Sequence, residues 1–164
     1  MTTHKHLTET FPELDHSLKR RSTFCVKERG ACYRLEHLGE FENVDYQVDG
    51  VLISGDIEGQ SKCDRLLLVK ISEGQWIHVF IELKGTDVSH GLEQLEATLA
   101  HSLFTPRDQG EKRLARLVAK SIPSSKNSPI IEKVRKNLLQ RYRCSLRILK
   151  PNQPEDFENL RRSS

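Results

Sequence analysis

The stretch from Val44 to Lys84 constrains the fold more than any other part of the chain. Three segments rich in β-branched and apolar residues lie close together there: residues 44–53 (VDYQVDGVLI), 63–71 (CDRLLLVKI) and 76–84 (WIHVFIELK). The second and third are separated only by SEGQ, a length and composition that suit a hairpin. The first and second are joined by the polar, glycine-containing SGDIEGQSK. Three strands written in this order predict an antiparallel meander.

Beyond the meander the pattern turns helical and then alternates. Val88, Leu92, Leu95, Leu99 and Leu103 fall at steps of three and four, one face of a helix over 88–103. RLARLVAKSI (113–122) predicts a strand after the polar TPRDQGEK, Ser128 and Pro129 predict the start of a helix through PIIEKVRKNLLQRY, and SLRILK (145–150) predicts a last strand. Ahead of the meander, Phe11, Leu14 and Leu18 predict a first helix over 11–21, with Thr10 as its cap and Pro12 in its first turn. Residues 22–43 carry no sustained period and read as irregular chain or a short hairpin. The expected fold is α/β: a central mixed sheet with helices on both faces, in the order α, three β, α, β, α, β. Residues 1–150 would form a single domain, and 151–164 a flexible tail.

With 164 residues, 36% hydrophobic and 30% charged, the chain has the makeup of an ordinary globular domain, neither fibrous nor disordered. No segment reaches the roughly 18 apolar residues of a membrane span. MTTHKHLTETFPEL lacks the apolar centre of an export signal, so a cytoplasmic location is expected. Cys25, Cys32, Cys63 and Cys144 are spaced too widely for a CxxC pair and read as free thiols, with a zinc site from Cys25, Cys32 and His37 as the weaker alternative. The net charge of +3 hides an asymmetry: residues 105–164 carry 15 Lys and Arg against 6 Asp and Glu. Lys112, Arg113, Arg116, Lys120, Lys126, Lys133, Arg135, Lys136, Arg141, Arg143 and Arg147 crowd a few elements, a surface suited to an anionic polymer.

The chemistry concentrates where the meander ends. On the third strand His78, Phe80, Glu82 and Lys84 share one face, so an acid and a base project together as the strand leaves the core. A hairpin turning at 72–75 places Asp64, at the start of the preceding strand, beside Glu82 or Lys84. Two converging carboxylates repel unless a cation lies between them, and hard oxygen ligands select Mg²⁺ or Mn²⁺. A neighbouring lysine can orient a water or neutralise charge developing on a phosphate. Other polar residues have plainer readings. His78 is a satisfied core or surface imidazole, Asp49 starts a turn with Gly50 or faces the cleft, and Asp87 complements a helix N-terminus.

Asp64 followed by FIELKG, with Glu82-Leu83-Lys84 closing an apolar strand in an αβββαβ order, resembles the PD-(D/E)xK nuclease superfamily, whose core is restriction-endonuclease-like. The resemblance covers about 11–121 and is nearest to small bacterial members. It implies that Asp64 and Glu82 bind Mg²⁺ (or Mn²⁺) with the backbone carbonyl of Leu83, and that Lys84 positions the attacking water. It also implies that Gln94, on the helix after the third strand, assists. Cys63 stands where the family name has proline, and the first-helix acid of many members has Glu13 as its best counterpart, with Glu9 and Glu28 as alternatives. The implied activity is phosphodiester hydrolysis in nucleic acid, DNA before RNA, with a homodimer as the natural way to cut both strands. The rival expectation is an inactive nucleic-acid-binding or assembly module of the same fold, serving as a subunit of a defence or mobile-element system.

Overall fold

A computed structural model describes residues 1–54, 62–84, 86–121 and 128–163. Its centre is a five-stranded mixed sheet built from β3 (Asn43–Gln47), β4 (Arg65–Ser72), β5 (Gln75–Lys84), β6 (Glu111–Ala119) and β7 (Cys144–Leu149), lying side by side in that order. β3, β4 and β5 form the expected antiparallel meander. β5, β6 and β7 run parallel, as they must when helices make the crossings: α2 (Val88–Ala100) joins β5 to β6, and α3 (Pro129–Tyr142) joins β6 to β7. The β4–β5 hairpin turns at Glu73 and Gly74, where Gly74 has φ +77, a conformation glycine adopts without steric cost.

Alternation along the strands divides the core in two. Trp76 and Phe80 of β5, with Leu66 and Leu68 of β4, pack under α2 and α3 with Leu92, Leu95, Leu99, Val134 and Leu138. Ile77, Val79, Ile81 and Leu83, with Leu67 and Val69, face the opposite side. That second face is covered not by helices alone but mainly by a small sheet of β1 (Phe24–Glu28), β2 (Ala31–Glu36) and β8 (Glu155–Asp156), together with α4 (Phe157–Arg162). The irregular or hairpin stretch at 22–43 is thus a true hairpin, and its Phe24, Tyr33 and Leu35 are buried.

Three expectations are corrected. The first helix is α1 (Thr3–Thr10), capped by the Thr2 side chain, and not 11–21. Pro12 acts as a stop: it disfavours helical geometry in Phe11, which sits at φ −125, ψ 64. The segment 151–163 is no loose tail, since Phe157 and Leu160 are buried in the second core. Glu155, 4% exposed, receives hydrogen bonds from Arg116 Nε at 2.7 Å, Tyr33 Oη at 2.9 Å and Arg147 at 3.2 Å. The predicted strand at 44–53 also ends early, at Gln47, because Gly50 (φ +84) and the bond from Ile53 N–H to Val48 O turn the chain back. The loop residues 55–61, Gly85 and Lys126 lie outside the described residues.

Candidate active site at the end of the third meander strand

Three elements meet at the C-terminal end of β5. The β4–β5 register pairs Arg65 with Ile81, and the Asp64 N–H donates to Ile81 O at 3.0 Å, so Asp64 enters β4 beside Glu82. One Asp64 carboxylate oxygen (Oδ2) accepts the Leu83 N–H at 2.8 Å. This bond locks the carboxylate across the pair of strands. Lys84 Nζ lies 4.0 Å from Glu82 Oε1, on the same face two residues on.

Glu82 is 1% exposed, and neither of its carboxylate oxygens has a hydrogen-bond partner among the described residues. A carboxylate so placed has lost its water without a compensating donor. Burial, and then the neighbouring Asp64 carboxylate, push the Glu82 pKa up to about 9, with Lys84 opposing and Glu28 adding to the rise. In the cation-free protein Glu82 therefore keeps its proton at neutral pH.

The segment that delivers Asp64 is clamped from α2. Gln94 Nε2 donates to Lys62 O at 3.2 Å, and Thr98 Oγ1 accepts the Cys63 N–H at 2.8 Å. Cys63 is fully buried. Gln94 thus holds the backbone ahead of Asp64, while its buried Oε1 has no partner among the described residues. One turn earlier, α2 comes so near β5 that a Cβ on Gly91 would lie 3.0 Å from Lys84 Cγ and 2.6 Å from Leu117 Cδ1. A side chain at 91 would press directly on the lysine.

Sequence reasoning underrated the hairpin of β1 and β2. A pocket of about 180 Å³ is lined by Lys27, Glu28 and Arg29 from its tip and by Gln47, Asp49, Asp64 and Arg65 from the sheet. Glu28, offered as a first-helix acid, comes from a strand, and Asp49 does face this cleft. The tip also reaches the end of β6, where a Cβ on Gly30 would meet Lys120 Nζ at 2.7 Å. Little in KERGAC announced this, because Arg29 occupies a left-handed position (φ 52) that turn signatures give to Asn, Asp or Gly. Glu13 is exposed in a turn, and Glu9 lies on α1, whose His4 stacks on Trp76 at the opposite end of β5. The supposed Cys25, Cys32 and His37 zinc set is not assembled, since His37 lies past the other end of β2 and bonds Asp156 at 3.1 Å.

His78 and the basic third also sort themselves. His78 is buried four residues before Glu82, 3.8 Å from Glu111, and burial and then Arg113 lower its pKa to about 3, so the ring is neutral. Arg113 and Arg116, 3% and 4% exposed, serve the core: Arg113 lies 5.5 Å from the Phe80 ring centre and bonds Phe104 O. Lys112 donates to Leu160 O at 2.7 Å, tying down α4. On α3, Lys133, Lys136 and Arg141 line a groove of about 630 Å³ against α2, together with Glu93 and Glu96. No helix among the described residues is long and apolar enough to cross a membrane. Comparison with models of known families, with characterised proteins and with solved structures gave no match.

Proposed function

We propose that this chain is a metal-dependent nuclease built on a restriction-endonuclease-like core, hydrolysing phosphodiester bonds with Asp64, Glu82 and Lys84. The observation that carries the reading is a buried Glu82 side chain that accepts no hydrogen bond among the described residues, beside Asp64 on the adjacent strand and 4.0 Å from the Lys84 ammonium. Without a cation Glu82 stays protonated, and ionising it beside Asp64 calls for a compensating charge; Mg²⁺ is commonly held by one or two carboxylates and several waters. Glu82, Asp64 and the Leu83 carbonyl would hold Mg²⁺ or Mn²⁺, which when bound lowers the pKa of water and stabilises negative charge on phosphate.

The chain's own groups would divide the remaining work. Lys84 orients the attacking water and neutralises charge as the new oxygen–phosphorus bond forms and the bond to the leaving oxygen breaks. In the pocket beside Asp64, Lys27, Arg29 and Arg65 offset the repulsion of a phosphodiester by Glu28, Asp49 and Asp64. Gln94 acts by positioning, through the Lys62 backbone. The α2–α3 groove runs from Ser89 and Ile130, near the starts of both helices, to Gln140 and Arg141 in the last turn of α3. Lys133, Lys136 and Arg141 there would track a nucleic-acid backbone without reading sequence.

Purified protein incubated with plasmid, linear duplex, single-stranded DNA and RNA, in Mg²⁺, Mn²⁺ or EDTA, tests the reading. Cutting is expected with either cation, is absent in EDTA and is lost in Glu82→Gln. Salt-dependent binding with no cutting under any condition would reject hydrolysis in favour of a binding module.

A further inference from the structure

A second chemical site lies on the outer face of the β1–β2 hairpin. Cys25 pairs in register with Arg34, and Cys32 with Lys27, so the two cysteines are diagonal neighbours on one face. Their sulfurs are 3.2 Å apart. Two left-handed residues, Arg29 (φ 52) and Gly30 (φ 76), form the turn, whose twist brings this diagonal together. On the inner face Phe24, Tyr33 and Leu35 are buried, which fixes the frame of the hairpin. Cys25 is exposed and Cys32 partly so, whereas Cys63 and Cys144 are buried.

We propose that Cys25 and Cys32 form a reversible dithiol–disulfide site, oxidised by low-molecular-weight disulfides. Closing the bond requires the sulfurs to approach by about 1 Å, from 3.2 Å to the roughly 2.05 Å of a disulfide. The roles are unequal. Cys25 is exposed and meets the small disulfide first, whereas Cys32 is partly covered, and burial and a hydrogen bond to Cys25 raise its pKa; Lys27 and Arg34 are the flanking cations. The Cys25 thiolate attacks R–S–S–R, forming Cys25–S–S–R and expelling R–S⁻, which takes up a proton. Cys32 then gives up its proton and attacks the Cys25 sulfur, releasing the second R–S⁻. Two protein thiols are oxidised and one small disulfide is reduced to two thiols. The staple would span the tip residues Lys27, Glu28 and Arg29, which line the acidic pocket. It does not depend on the nuclease reading.

Oxidised glutathione is the probe, with peptide mass analysis after alkylation in denaturant and trypsin digestion. Cleavage at Arg21, Lys27, Arg29 and Arg34 puts the two cysteines on separate peptides, 22–27 and 30–34. The expected product is intact protein about 2 Da lighter, in which these peptides are joined to one another and separated by dithiothreitol, while Cys63 and Cys144 are alkylated. In Cys32→Ser the resolving sulfur is gone, and Cys25 should accumulate the glutathione mixed disulfide. Wild-type protein that stays reduced, that keeps glutathione on either cysteine, or that links only between two chains would overturn the proposal.

Discussion

Glu82→Gln should change how stability depends on pH, in a direction set by burial. The ordinary glutamate pKa is near 4.5 and the folded value about 9, so between these limits the native state holds a proton that the unfolded chain has released. Folding is then coupled to proton uptake, and stability falls as pH rises through the window, by about 1.4 kcal/mol per pH unit. Glutamine keeps the shape and cannot ionise, so the variant lacks this loss. From pH 5.5 to 7.5 the stability of Glu82→Gln relative to wild type should grow by about 2 to 3 kcal/mol, or roughly 4 to 10 °C in Tm for a chain of this size. The assay is thermal or urea unfolding of both proteins in EDTA at matched ionic strength; taking the difference removes other titrating groups. A difference that stays flat across that range would show that Glu82 is solvated or ionised in the folded state, and the electrostatic case for a cation site would fail.

The same structure sets further outcomes. Adding 10 mM Mg²⁺, more than about tenfold above a sub-millimolar Kd, should raise wild-type Tm while leaving Glu82→Gln unmoved, as seen in the same unfolding scans. Lys84→Ala should abolish most cleavage yet keep nucleic-acid binding in gel shifts, and Lys84→Arg should rescue little, since a broad planar guanidinium cannot take the place of the compact ammonium 4.0 Å from Glu82 Oε1. Glu155→Ala strands the buried Arg116 and should cost about 3 kcal/mol in urea unfolding; a loss below about 1 kcal/mol would mean that the 151–163 segment is not held as described. Lys133→Ala with Lys136→Ala should lower the slope of log K against log salt on duplex DNA by up to about 1.8, and an unchanged slope would make them ordinary solvated charges.

Much of the candidate site was legible because it rests on local rules. Strand alternation alone puts Glu82 and Lys84 on one face, and a short turn at Glu73 and Gly74 leaves few registers in which Asp64 can miss them. The hairpin residues were not legible. Lys27, Glu28 and Arg29 reach the pocket only because a separate small sheet packs across the second face of the central one, and no periodicity in 22–43 encodes that docking. Glu155 shows the same limit at the other end. PNQPEDFENL reads as a loose tail, until Arg116 and Arg147 on neighbouring parallel strands supply the charges that hold it.

The sequence by itself determined the set of elements whose signal lies within a few residues: the meander, the two crossover helices, and the acid and base at the end of β5. Helix spacing and strand alternation are properties of a backbone with fixed repeat, so they survive without knowledge of the rest. Tertiary structure decided the remainder. It chose Pro12 as the end of a helix and not its start, turned Arg113 and Arg116 from surface charge into core partners, and made Glu82 a buried carboxylate instead of a solvated strand end. In each case the decisive quantity is desolvation by segments distant along the chain, which no local window of residues contains.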